Sequence, residues 1–105
     1  MRSYHHLGIP TSEPTANEEY LPEFKIWTSG FQTSLFGVEW MRFAPDSPVP
    51  ELVKTVPHVA FQVDDLAAEL EGKDVLIQPN SPSPGVMVAF IVDNGAPIEL
   101  LQLSS

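Results

Sequence analysis

From Val56 to Val63 the chain reads VPHVAFQV, and its side chains alternate: Val59, Phe61 and Val63 on one parity, His58, Ala60 and Gln62 on the other. Alternation at period two marks a strand with two unlike faces, because successive side chains of an extended chain point to opposite sides. Runs rich in Val, Ile, Phe and Trp, bounded by Pro, Gly, Asn or Ser, predict further strands at 3–9, 24–29, 35–43, 74–78, 86–92 and 97–103. Two stretches read as helix instead. DDLAAELE at 64–71 offers Asp64 or Asp65 as N-cap, Leu66, Leu70 and the alanines as an apolar face, and Gly72 as a stop. TSEPTANEEYL at 11–21 predicts a weaker helix, limited by Pro14 and Pro22. The eleven prolines gather between predicted elements. Segment 45–55 is accordingly expected to be a semi-rigid extended linker, and 79–85 a loop at the rim of a cleft.

In order, the elements run strand, helix, strands, then strand, helix, strands, an internal repeat of about 50 residues. HLGIPT at 6–11 aligns with HVAFQV at 58–63, and VEWMRF at 38–43 with IELLQL at 98–103. The first copy is the shorter, by eight residues between its histidine and its glutamate. The expected domain therefore spans 1–105, with one module at about 1–44, the linker at 45–55 and a second module at about 56–105. Strand parity separates an aliphatic face, which a helix must cover, from a face bearing His6 and Gly8 in one copy and His58, Ala60 and Gln62 in the other. In the closing strands Glu39, Met41 and Phe43 share a face, as do Glu99, Leu101 and Leu103. His5 falls on the opposite parity from His6, with Leu7.

Charge and composition narrow what this face can do. Fourteen acidic residues against five basic ones leave a formal charge of −9, which repels nucleic acid and anionic membrane surfaces. With no cysteine there are no disulfides and no thiolate ligands or nucleophiles. The longest apolar run, VMVAFIV, falls far short of the roughly 20 residues that span a bilayer, and the N-terminus has no signal-peptide apolar segment. A cytoplasmic protein that takes a small-molecule substrate or ligand is expected.

A glutamate within an apolar strand is costly unless it is paired or holds a metal. Each repeat has a histidine near its start and a glutamate near its end, so His6, Glu39, His58 and Glu99 form a candidate site for a divalent metal: Zn, Ni, Co, Mn or Fe. Four such ligands on a six-coordinate ion leave two positions for substrate. Met41, Phe43, Gln62 and Leu101, on the same faces, are the candidate substrate-binding residues.

PHVAFQVDDL at 57–66, VDNGAPIELLQL at 92–103 and HHLGIP at 5–10 resemble the opening and closing strands of the vicinal oxygen chelate superfamily. Its members include glyoxalase I, methylmalonyl-CoA epimerase, extradiol dioxygenases and the bleomycin-resistance proteins. The resemblance implies an α+β fold of two βαβββ modules, here with the first shortened, whose sheets form an open mixed β-barrel around a central cleft, within one chain or across a homodimer. It implies the same four ligand positions, His6, Glu39, His58 and Glu99. The first function it suggests is a metal-dependent lyase or isomerase of glyoxalase or epimerase type, acting on vicinal oxygens through a stabilised enediolate. Glu99 or Glu39 would then be catalytic, moving a proton next to a carbonyl. The alternative is a metal-free, bleomycin-resistance-like dimer that sequesters a cationic or aromatic ligand. Dioxygenation ranks third, because it calls for a further acid–base histidine and His5 is predicted to face away.

Overall fold

The structure is a computed structural model and describes residues 1–104. Its strands are β1 (Arg2–Pro10), β2 (Glu19–Leu21), β3 (Ile26–Ser29), β4 (Val38–Phe43), β5 (His58–Val63), β6 (Asp74–Ser83), β7 (Val86–Asp93) and β8 (Ala96–Leu103). Two short helices, α1 (Glu51–Thr55) and α2 (Leu66–Leu70), and a 3-10 turn at Phe31–Thr33 complete it. All eight strands hydrogen-bond in one sheet, in the order β2-β3-β4-β1-β5-β8-β7-β6. The order is that of two four-stranded modules joined edge to edge. β1 pairs parallel with β4 and β5 parallel with β8, while β1 and β5 run antiparallel at the join. The mixed α+β half-barrel is therefore built within a single chain.

The sheet curls, and its two faces carry different cores. On the convex face of the second module, Leu66 and Leu70 of α2 pack on Phe61, Val63, Ala89, Ile91, Ile98 and Leu100. This is the aliphatic parity seen in the sequence. Asp65 caps α2 by accepting a hydrogen bond from Ala68 N at 3.2 Å. On the concave face, Ile26 and Met41 of the first module meet Phe90 of the second, with Val49 and Val53 packed between them.

Three segments depart from expectation. Residues 11–18 form turns rather than a helix, and 19–21 enter the sheet as β2. Thr11 Oγ1 accepts from Glu13 N, Asn17 has φ of 60°, and Pro14 and Pro22 interrupt the pattern. The first module thus keeps all four strands and lacks the helix. Its convex face is covered instead by a row of side chains: Arg42 donates two hydrogen bonds to the Glu18 carboxylate and lies 4.1 Å over the Trp27 ring, which packs on Tyr20. The expected linker folds over residues 51–55 into α1, started by Pro50, whose fixed φ suits a helix entry. Finally, 79–83 continues β6 rather than forming a loop. β6 is an edge strand, where Pro79 and Pro82 need no partner on their open side. The β6–β7 hairpin runs over residues 74–93 against 19–29 for β2–β3, and the longer β3–β4 connection of the first module, 30–37 against 94–95, offsets part of that excess. Among the described residues no helix is long and apolar enough to cross a membrane.

Candidate functional site

The join between the modules fixes the geometry of the site. Across β1 and β5, His6 lies opposite Ala60 and Gly8 opposite His58. On the outer sides, Gly8 pairs with Glu39 and Ala60 with Glu99. Each histidine therefore faces a small residue on the neighbouring strand, with a glutamate one strand further out. His58 uses that space directly. A Cβ placed on Gly8 would lie 2.2 Å from His58 Cε1.

Three ligand-type atoms converge. His58 Nε2 is 3.0 Å and His6 Nε2 3.2 Å from the same oxygen, Glu99 Oε1. The potential ligand atoms of His6, His58 and Glu99 all lie within 4.8 Å of one another. With metal–ligand bonds of about 2.0–2.1 Å, neighbouring ligands of one ion stand roughly 3.0–3.4 Å apart. The two histidine–glutamate spacings fall in that range, and the third lies within 4.8 Å, so the donor set fits a divalent ion. Glu39 approaches from the other side, its Oε1 3.7 Å from His6 Nε2, and lies outside this closest group.

The charges of the two carboxylates diverge. Burial works against ionisation of Glu99, but hydrogen bonds from His58 and His6 and the histidine charges outweigh it, holding its pKa at about 2. For Glu39, burial dominates, and with the nearby Glu99 charge it raises the pKa despite the opposing pull of the histidines. Burial also tends to depress His6, yet the Glu99 hydrogen bond and the Glu99 and Glu39 charges prevail and raise its pKa.

His5 is where the sequence reading fails. β1 carries one extra residue between Tyr4 and His6 relative to β5, a bulge that breaks the alternation. His5 Nδ1 consequently lies 2.8 Å from His6 Nδ1, and its ring stacks on Phe31 with centroids 5.1 Å apart. When His6 Nε2 donates to Glu99, its bare Nδ1 accepts from His5. With an ion on Nε2, His6 Nδ1–H would donate to His5 instead. His58 has no such partner: its Nδ1 is buried without a hydrogen bond, and its ring packs edge-on against Phe90 at 5.0 Å.

His6, Glu39 and Glu99 line a concave cavity of about 330 Å³, walled by Met41, Ile26, Val49, Val53, Ile77 and Phe90. Of the expected substrate-binding residues, Met41 lines it. Phe43 packs behind it, in the core around Met41. Leu101 is buried in a separate cluster with Ala60 and Val88, and Gln62 lies opposite Ser3, further along β5. These three share the concave parity but are not among the residues that line the cavity. Phe90 and Asn80 line it and were not singled out from the sequence. The register of β7 on β8, which sets Phe90 beside Glu99, is what brings Phe90 there.

Two four-stranded modules joined edge to edge form the fold expected from the HLGIP and IELLQL motifs. Solved structures share it. A hypothetical protein from Bacillus halodurans superposes with a TM-score of 0.73 at 15% identity, over 99% of this chain and 96% of that one. Methylmalonyl-CoA epimerase from Mycobacterium tuberculosis superposes with a TM-score of 0.68 at 19% identity, over 97% and 88%. At these identities the shared property is the fold. No protein-family model matches the sequence, and no curated protein matches it.

Proposed function

We propose that the protein is a divalent-metal-dependent enzyme of glyoxalase or epimerase type, which moves a proton on a carbon beside a carbonyl of a small substrate with vicinal oxygens. The observation that carries this reading is the convergence of His6 Nε2, His58 Nε2 and Glu99 Oε1, with His6 and Glu99 lining a cavity and His58 buried behind them. His6, His58 and Glu99 would hold the ion. When bound, the ion supplies Lewis-acid stabilisation of charge developing on substrate oxygen. Two carboxylates whose surroundings push their pKa values apart divide the work between them. Glu99, kept ionised by two histidines, suits a ligand. Glu39, with its raised pKa and a place on the cavity wall, suits a carrier that takes a proton from the substrate carbon and returns it.

The test starts with protein stripped by EDTA and titrated with Zn, Mn, Co, Ni or Fe(II). One ion per chain is expected, with His58→Ala and Glu99→Ala each reducing affinity at least tenfold. Exchange of the carbon-bound protons of hydroxyacetone with deuterated solvent is then followed by NMR. Glu39→Gln is expected to retain the ion and lose at least a hundredfold in exchange rate. Failure to bind any ion stoichiometrically overturns the proposal and favours the metal-free binding protein.

A further inference from the structure

The lining of the cleft identifies the chemistry of its ligand, and the argument rests on the cleft being the reaction site proposed above. The apolar cavity of about 330 Å³ opens beside a second cavity of about 510 Å³, and Glu19, Thr28 and Glu39 line both. Ala16, Asn17, Ser29, Gly30, Gln32 and Thr33 make the second one polar. At the junction a molecule meets the carboxylates of Glu19 and Glu39, and within the inner cavity it meets Glu99 and His6 among apolar walls.

None of the five Lys and Arg residues lines either cavity. Three are committed elsewhere: Arg42 to Glu18, Lys25 to Asp46 and Arg2 to Glu69. Asn80 lines the inner cavity as well. Its Nδ2 donates to Gln78 O at 3.0 Å, while its Oδ1 is buried with no hydrogen-bond partner. The polar edge is thus dominated by acceptors and negative charge, and among the described residues His6, already held by Glu99, is the one basic side chain that lines the inner cavity of the metal-free protein.

We infer that the ligand is a neutral or cationic molecule with a compact apolar body seated against Val53, Met41 and Phe90 and a hydroxyl- or amino-bearing end at the Glu39–Asn80 side. Such a ligand sets its oxygen-bearing carbons beside His6, Glu39 and Glu99. In the metal-free cleft the same charges disfavour phosphorylated, thioester-nucleotide and carboxylate ligands.

Three probes of equal size separate the possibilities: 1-phenylethane-1,2-diol, neutral; 2-amino-1-phenylethanol, cationic; and mandelate, anionic. Each is titrated into EDTA-treated protein while the methyl resonances of Met41, Val53 and Ile77 are followed by NMR. The diol and the amino alcohol are expected to shift these resonances saturably, with mandelate at least tenfold weaker. Glu19→Gln is expected to narrow that gap, and Val53→Trp to weaken all three by filling the inner cavity. The inference is overturned if mandelate binds the metal-free protein as tightly as the diol, or if none of the three perturbs the cavity. Adding one equivalent of Zn to the same samples reads the metal separately. A charge ranking that holds while Zn has no effect leaves this inference standing and removes the metal reading alone.

Discussion

Gly8 shows how closely the site depends on single atoms. The His58 ring occupies the space that a side chain on Gly8 would need. Gly8→Ala is therefore expected to force the ring aside, destabilising the protein by about 1–3 kcal/mol and weakening ion binding, read by thermal melts and Zn titration. Unchanged melting and affinity would show that the ring moves freely. The equivalent Ala60 already carries a Cβ opposite His6 and is fully buried, so the two copies are similar without being identical. The alternation of large and small residues in HLG and HVA made this pairing legible, because period two fixes which residues share a face. The direction of His5 was not legible. A bulge depends on how β1 meets β5, and nothing within YHHLGIP records that register.

Among the elements, those whose apolar face packs on the sheet were readable and those set by local turn chemistry were not. DDLAAELE had both a cap and an apolar stripe, and it forms α2 with Leu66 in the convex core. Leu66→Ala is expected to cost about 2–4 kcal/mol, measured by chemical denaturation, with metal affinity little changed because α2 covers the face opposite the site. Equal losses in stability and in metal affinity would show instead that the two faces are coupled. The segment 11–21 also looked helical, yet Pro14 and the turn at Asn17 prevent a continuous ladder, and Tyr20 is drawn into β2 beside Trp27. Prolines suggested a loop at 79–85. An edge strand tolerates them, and the position of β6 at the sheet edge depends on the topology of the whole chain.

For the whole molecule, the charged groups at the join set a pH optimum. Glu99 is held near pKa 2 in the folded state, so the stability it contributes is full above its usual value of 4.5 and is lost as pH falls toward 2. His6 acts in the opposite sense: its pKa is raised, so its contribution is full below 6.5 and is lost as pH rises through the folded value. Glu39, also raised, takes stability away as pH climbs from 4.5 toward its folded value, while the lowered pKa of His5 takes stability away as pH falls below 6.5. The metal-free protein is expected to melt highest between about pH 4.5 and 6.5. Zn, which competes with the proton on His6, is expected to shift that maximum upward. A metal-free melting temperature that climbs steadily from pH 5 to 8 would contradict this balance. The candidate ligands also come from both halves of the chain, His6 from the first and His58 with Glu99 from the second, across the single ladder that joins the modules. An ion held there would act as a rivet through the seam, resisting separation of the halves more than unfolding within either one. Loading would then register as a gain in cooperativity between the modules as well as a gain in reactivity.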